Sequence, residues 1–495
     1  MNQEFVALPL RRLADAALDR ARRPGVRHAA VQVIRTRHGH LLLRNGSTTA
    51  TADTERTALS VRVLTDRGHG FAATSELTAE AAATTAEHAW QVARACQPLG
   101  GGVVFADEPV HADALWCSAY QVNPFDVPEP ERAAVLAGWS RDLLAAPHVS
   151  SVLAKLTAVQ ENRFYADLAG TTTTQQRVRV HPQVLAAGEH PRTGAVATLR
   201  SLGPPTARGW EYLGGTGWDW AGEIAAMPEH LAAKLAARPV RPGNYDLVLD
   251  ASNLWLTVHE TVGHATELDR ALGHEMSYAG TTFATPELRG RLRYGSELMT
   301  VTADRTAPHG MATVGFDDEG VAAQSWPLIE RGVLTGFQTD RSTAAAIGAT
   351  RSTGCAFAES SSHVPLPRMP NVSLQPSPLP CNTQDLIAGV ADGLYLAGSA
   401  SWSIDSRREN FQFTAQRCHR IRAGRLAEPV SGAAYQSSTT DFWRSLAGLG
   451  DASTVTSFGA DFCGKGRPAQ AAAASHAVPS ALFHGVSVLH VGGAT

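Results

Sequence analysis

His259-Glu260-Thr261-Val262-Gly263-His264 sets two imidazoles either side of a carboxylate on an apolar stretch. These residue types can hold a zinc ion and move the proton of a water that the ion activates. In the common helical form of such a motif the histidines stand four apart, on one face. Here they stand five apart. At about 100° per residue, five steps of a regular α-helix leave the second imidazole about 140° from the first, so a straight helix cannot chelate with both. The spacing predicts a π-bulge, or unwinding just before His264. Gly263 supplies backbone freedom at that point, and the preceding Asn253 to Val258 supply apolar support. A chain with 19 His also produces such a pattern by chance, so the motif alone leaves metal binding open.

Two histidines are too few, because catalytic zinc takes three protein groups and keeps one position open. Cysteines stand at 96, 117, 355, 381, 418 and 463, with no C-x-x-C pair and no regular spacing. That excludes a ribbon-type zinc site and an evident disulfide framework. Cys463 differs from the others because it lies in Asp461-Phe-Cys-Gly-Lys-Gly-Arg-Pro468, read as a glycine-flanked turn able to present a side chain to a cleft. The other five read as small hydrophobes in cores or turns.

At this point the residues resemble the TldD/PmbA metallopeptidase family, whose active members carry a His-Glu-x-x-x-His helix and a distant Cys in a Cys-Gly-Lys-x-Gly-like turn. The resemblance runs through nearly the whole chain: Leu59 to Ser75 with the helical Leu77 to Ala95, then Val314 to Gly320, Leu328 to Phe337 and Pro365 to Asn371. It implies that His259, His264 and Cys463 hold Zn2+ and that Glu260 is the general base. It also implies a dimer, with itself or with a related chain, enclosing the metal in a shared cavity for small unfolded peptides. Glu267 and Asp269 match the family pattern and have the spacing of carboxylates that orient metal-bound imidazoles; a solvated or capping face is the alternative. Lys465, two residues from Cys463, reads as support for a thiolate or as a solvated turn lysine, and His274 as a loop residue.

One departure stands out. Where typical members have paired arginines before Ser-Tyr, this chain reads Cys355-Ala-Phe-Ala-Glu-Ser-Ser-Ser-His363. The expected chemistry is zinc-assisted amide hydrolysis, with Glu260 taking the water's proton and returning it to the leaving amine. The changed segment favours a smaller amide, from a secondary metabolite or modified peptide, over ordinary peptides. A non-catalytic partner subunit is a further alternative, opposed by retention of all three ligands and Glu260.

The elements that must position these residues divide near 240, where Arg238-Pro-Val-Arg-Pro-Gly243 reads as a linker. Residues 1–240 read as an α+β domain with helices packed on a sheet. Helices are expected at Leu10–Ala21, Ala79–Ala95, Glu129–Leu144 and Ala221–Ala237. Strands are expected at His28–Thr36, Leu41–Leu43, Ala58–Leu64, Val152–Val159, Thr171–Val180 and Val196–Leu202. Residues 241–495 read as mostly β and carry the metal-site helix, and Ala469–His476 reads as a mobile low-complexity loop. The overall class is α+β.

Composition sets the outer bounds. At 495 residues, with 44% hydrophobic and 18% charged residues and a net charge of −3, the chain reads as an ordinary soluble protein of two or more domains. No basic surplus points to nucleic acid, and lysine occurs only at 155, 234 and 465. No apolar run approaches the roughly 20 residues of a membrane span. The N-terminus lacks a secretory pattern, and the unpaired cysteines fit a reducing cytoplasm.

Overall fold

Long strands with one apolar and one polar face build the first half of the chain. The computed structural model describes residues 1–99 and 103–492. A seven-stranded sheet comprises β1 (Val26–Arg44), β2 (Ser47–Thr65), β3 (His69–Thr74), β4 (Ala114–Cys117), β5 (Val149–Asp167), β6 (Thr172–Glu189) and β7 (Val196–Arg200), in the order β3-β2-β1-β5-β6-β4, with β7 also paired to β6. The pairings are antiparallel except β4 with β6. Side chains alternate across a strand. Ala29, Val31, Val33, Leu59, Val61 and Val63 therefore share a core with the helices Leu10–Ala21 and Ala79–Cys96. Further along the same face, Val152, Ala154, Leu156, Val184 and Ala186 pack with the helices Glu129–Leu144 and Trp220–Ala236.

The opposite face is buried but polar. Gln32, Glu161, Arg163, Gln175, Arg177 and Arg179 are all covered, by loops of the second half: Arg163 pairs with Asp318 at 2.6 Å, and Gln175 donates to the Phe316 carbonyl at 2.9 Å. Buried polar groups need such partners, so this face fixes the first sheet against the rest of the molecule.

In the second half, the strands Gly243–Leu249, Ala481–His490, Ala433–Ser438, Asn410–Arg422 and Asp392–Ile404 pair in that order, and the last also pairs with the first, closing a ring. The helix Ala251–Val258 leaves the end of the first of these strands. Asp250 caps it by accepting from the Ser252 N–H, and Leu254 and Val258 enter the main core. The hairpin Thr456–Lys465/Gln470–Val478 packs along this helix.

The α+β class holds, and the helices lie where the periodicity placed them, within one or two residues. Three local expectations need correction. His28–Thr36 and Leu41–Leu43 are parts of one 19-residue strand. Ala469–His476 is not a mobile loop: Gln470–Val478 is a strand whose Ala473, Ala474 and His476 are buried. Cys463 lies not in a turn but within the strand Thr456–Lys465, and the chain reverses only after it.

Candidate metal centre

The helix changes pitch where the histidine spacing requires it. Residues His259–Gly263 form a π-turn, closed by the His264 N–H donating to the His259 carbonyl. Side chains take up the carbonyls that such a turn releases. Tyr294 donates to the Thr261 carbonyl, and Gln338 donates to the Gly263 carbonyl at 2.5 Å. Thr266 donates to the Val262 carbonyl at 2.9 Å. Gly263 allows a close approach, since a Cβ there would lie 2.5 Å from the Met369 sulfur and the methionine would have to move.

The wider turn brings both imidazoles to one side, their ring centroids 4.8 Å apart. The hairpin adds the third group, with Cys463 Sγ 3.4 Å from His264 Nε2. Donor atoms of His259, His264 and Cys463 all lie within 4.8 Å of one another, and all three residues are buried. Two imidazole nitrogens and a sulfur are the donor set of a zinc-type site.

The surrounding hydrogen bonds fix which nitrogen each imidazole offers. His476 Nδ1 lies 2.9 Å from the Val372 carbonyl and must donate to it. Its Nε2 therefore accepts from His259 Nδ1, at 2.8 Å, leaving the His259 Nε2 lone pair free. His264 Nδ1 meets Glu267 Oε2 at 2.9 Å, so its Nε2, the atom facing Cys463, is also free. Both imidazoles are thus oriented as metal ligands usually are. Burial lowers the pKa of His259 and of His476, which keeps them neutral. Burial raises the Cys463 thiol pKa; positive charge at His264, when its Nε2 carries a proton, and at Arg368 lowers it below its ordinary value.

Lys465 neither touches the thiol nor faces solvent. It is buried among Asp269 and Glu275, each at 2.9 Å, and Glu267 at 3.3 Å, so it holds the carboxylate that holds His264. Burial, against the pull of Lys465, and the neighbouring Glu267 and Glu275 push Asp269 up to about 7. His274 is exposed.

Glu260 faces a cleft of about 670 Å³ that its neighbours His259, His264 and Cys463 also line. That size suits a small ligand or a short stretch of peptide. Arg408 donates to Glu260 Oε2 at 2.5 Å from a backbone with φ of 60°, a conformation that non-glycine residues hold only when their surroundings impose it. Burial would raise the Glu260 pKa, but positive charge at the neighbouring histidines, when protonated, and at Arg408 lowers it, and the Arg408 ion pair favours the ionised carboxylate at neutral pH. The far wall belongs to the first sheet: His181, Gln183 and Arg200 line it, with His181 held by Asp461 at 2.7 Å.

The sequence did not point to His476, Arg408 or the wall on β6 and β7. His476 sits in an alanine-rich segment without apolar periodicity, and Arg408 in a charged turn that reads as solvated. The segment Cys355–His363 lies elsewhere than expected. No residue of it lines the cleft; the Ala358 N–H donates to Asp318 at 2.7 Å and the Glu359 N–H to Gln470 at 3.1 Å. It is packing against the first sheet, so the substrate inference drawn from its missing arginines loses its structural basis.

Fold and site together define an α+β protein in which a buried His-His-Cys cluster and an ionised carboxylate open onto one cleft. The chain belongs to the PmbA/TldD metallopeptidase family: the model of the PmbA/TldA metallopeptidase C-terminal domain matches residues 242–490, and that of domain 1 matches residues 29–93. A metalloprotease of Methanothermobacter thermautotrophicus is 26% identical over 89% of this chain and 91% of its own length. A zinc metalloprotease TldD homolog of Saccharolobus solfataricus is 28% identical over 42% of this chain and 44% of its own length. The crystal structure of TldE from Thermococcus kodakarensis shares the fold, with a TM-score of 0.69 at 16% identity over 93% of this chain and 96% of that one. Among the described residues no helix is long and apolar enough to cross a membrane.

Proposed function

We propose that this chain is a zinc-dependent peptidase or amide hydrolase in which His259, His264 and Cys463 hold the metal and Glu260 is the general base. The observation that carries the reading is the convergence of two imidazole nitrogens and a thiol sulfur within 4.8 Å of one another beside an ionised carboxylate. A zinc ion held by His259, His264 and Cys463 would supply Lewis acidity for amide hydrolysis. Glu260 then takes a proton from water and returns it to the departing amine. His476 and Glu267 keep the two imidazoles in the tautomer that offers Nε2. The apolar rim of the cleft, including Trp255, Trp402 and Phe458, sheds water around the amide.

The test separates metal from chemistry. Purified protein is expected to hold about one zinc per chain, and Cys463→Ala to lose most of it. Glu260→Gln is expected to keep the metal while turnover falls by about 10²-fold or more. Full zinc content in Cys463→Ala, or unchanged turnover in Glu260→Gln, overturns the assignment.

The substrate class we infer is a small unfolded peptide or peptide-like amide, because the cleft is too narrow for a folded chain. A dimer, with itself or with a related chain, completes this reading, and light scattering checks it. We also infer two domains, 1–240 and 241–495. The first sheet draws on β1 to β7 alone, and the ring of strands begins at Gly243.

A further inference from the structure

Beside the cleft lies a smaller cavity of about 310 Å³ whose ionisable lining is entirely basic: Lys155, Arg200 and Lys234. Gln183, Thr198, Ser399 and Gln416 add to its polar wall, and Gln183, Arg200, Ser399 and Gln416 also line the main cleft, so the two spaces adjoin. The register explains the grouping. Lys155 on β5 stands opposite Gln183 on β6, and Arg200 on β7 stands opposite Leu185, one step further along β6 on the same face. Lys234 reaches round the edge strand from the helix Trp220–Ala236, its Nζ donating to the Thr198 carbonyl at 2.9 Å.

None of these cations is in direct contact with an acid, although Lys155 acts on Asp461 at longer range. Arg200 donates to the Ser399 carbonyl at 3.0 Å, and Lys234 meets only a carbonyl. Among the described residues no carboxylate lies within 4.0 Å of any of the three. The nearest acidic neighbour in the cleft wall, Asp461, is engaged by His181. Burial lowers the pKa of Arg200 and of Lys234, and Arg200 lowers Lys234 further. Half-buried like charges without a counter-ion are costly. In a chain with lysine at only three positions, two of the three face this cavity. The Gln416 side chain is already fixed, its carbonyl accepting from the Arg200 N–H at 2.8 Å, which turns its amide N–H group free to donate.

We propose that Lys155, Arg200 and Lys234 form an anion-binding annex to the cleft, which takes a carboxylate or phosphate carried by the amide-bearing substrate. The inference rests on the hydrolase reading only for the word substrate; the annex itself is a binding site. It makes the favoured substrates acidic amides, anchored on β5 to β7 while the amide lies towards Glu260.

The scarcity of lysine provides a direct test. An amine-reactive acetylating reagent, read by mass spectrometry on the full chain, reports Lys155 and Lys234 separately, while Lys465 is buried and serves as internal control. The probes are N-acetyl-Glu-Glu-Glu amide, its Gln-Gln-Gln twin and pyrophosphate. The glutamate peptide or pyrophosphate is expected to slow labelling of both lysines, with the first marking a carboxylate site and the second a phosphate site, and the glutamine twin to leave the rate unchanged. By calorimetry the acidic probe should bind about tenfold or more tightly than the twin at low salt, as charge-assisted hydrogen bonds allow. That margin should shrink as salt screens it. The double variant Lys155→Met/Lys234→Met should abolish the margin and Lys155→Arg/Lys234→Arg should keep it. Equal protection by the glutamine twin, no protection by either anion, or a margin that survives the methionine pair overturns the proposal. An acidic peptide that protects both lysines but is never cleaved by zinc-loaded protein defeats the hydrolase reading and leaves the annex standing. Cleavage of acidic amides without protection does the reverse.

Discussion

At the scale of single residues, the candidate centre depends on side chains that never touch a reacting atom. His476 fixes the tautomer of His259 through a 2.8 Å contact. Replacing it by Phe keeps the bulk and removes the acceptor, so zinc affinity is expected to fall about 10–100-fold; competition titration against a chelating dye reads this, and unchanged affinity would remove His476 from the site. Arg408 acts on Glu260 in the same indirect way. Because Arg408 helps hold the carboxylate below its ordinary range, Arg408→Met should raise the Glu260 pKa and move the acid limb of the rate profile to higher pH. An acid limb that stays in place in a folded, metal-loaded variant counts against that role. The sequence made His259, Glu260 and His264 legible because their chemistry and spacing are local. Cys463 stood out by its glycine-flanked setting and took its ligand role from the resemblance to the family, and His476 and Arg408 were not legible, since a lone histidine among alanines and an arginine in a polar turn show their roles only after a strand and a loop have been folded against the helix.

At the scale of elements, one π-turn does the positioning, and its cost is met by neighbours rather than by the helix. Gly263→Ala would drive a methyl group against Met369, itself buried. It is expected to destabilise by about 1–3 kcal/mol and to lower metal content, both measurable by denaturant unfolding and metal analysis of the same preparation. Wild-type values on both would mean that Met369 yields freely. The helices were readable because each buries a single apolar stripe. The strands were harder. β1 carries Arg37, His38 and His40, which break the apolar pattern and make it read as two strands, and β6 reads as a strand only as far as Val180, before His181, Pro182 and Gln183. The face of β6 that carries Gln175, Arg177 and Arg179 is covered by the other half of the chain, a fact of tertiary structure that local periodicity does not contain.

At the scale of the whole molecule, the two halves are tied by buried charge. Glu161 on β5 meets Arg177 Nε at 2.7 Å and Arg179 at 3.2 Å, and Arg177 donates onward to the Met311 carbonyl at 2.7 Å. Burial would raise the Glu161 pKa, but Arg177, Arg179 and Arg163 outweigh it and lower it. A carboxylate held below its unfolded value adds stability that is present above the ordinary glutamate range, about 4.3, and is lost as pH falls further. The melting temperature should therefore decline on acidification below that range. Glu161→Gln should flatten the decline and cost about 3–5 kcal/mol at neutral pH, by leaving buried arginines uncompensated. An unaltered acid slope in that variant would place the sensitivity elsewhere.

The chain separation of 199 residues between His264 and Cys463 has a consequence for the unfolded ensemble. A metal shared by these side chains closes one long loop, and a tie across a loop of that order removes about 5 kcal/mol of chain freedom by the entropy model. The ion would then be a clasp as well as a reagent. Its removal should first loosen the hairpin that presents Cys463, where the neighbouring Phe462 is 75% exposed. Chymotrypsin in the presence of a chelator should therefore clip the chain at Phe462 well before any global melting, and restoring zinc should slow the cut. Clipping at the same rate with and without metal would show that backbone pairing alone keeps the hairpin shut.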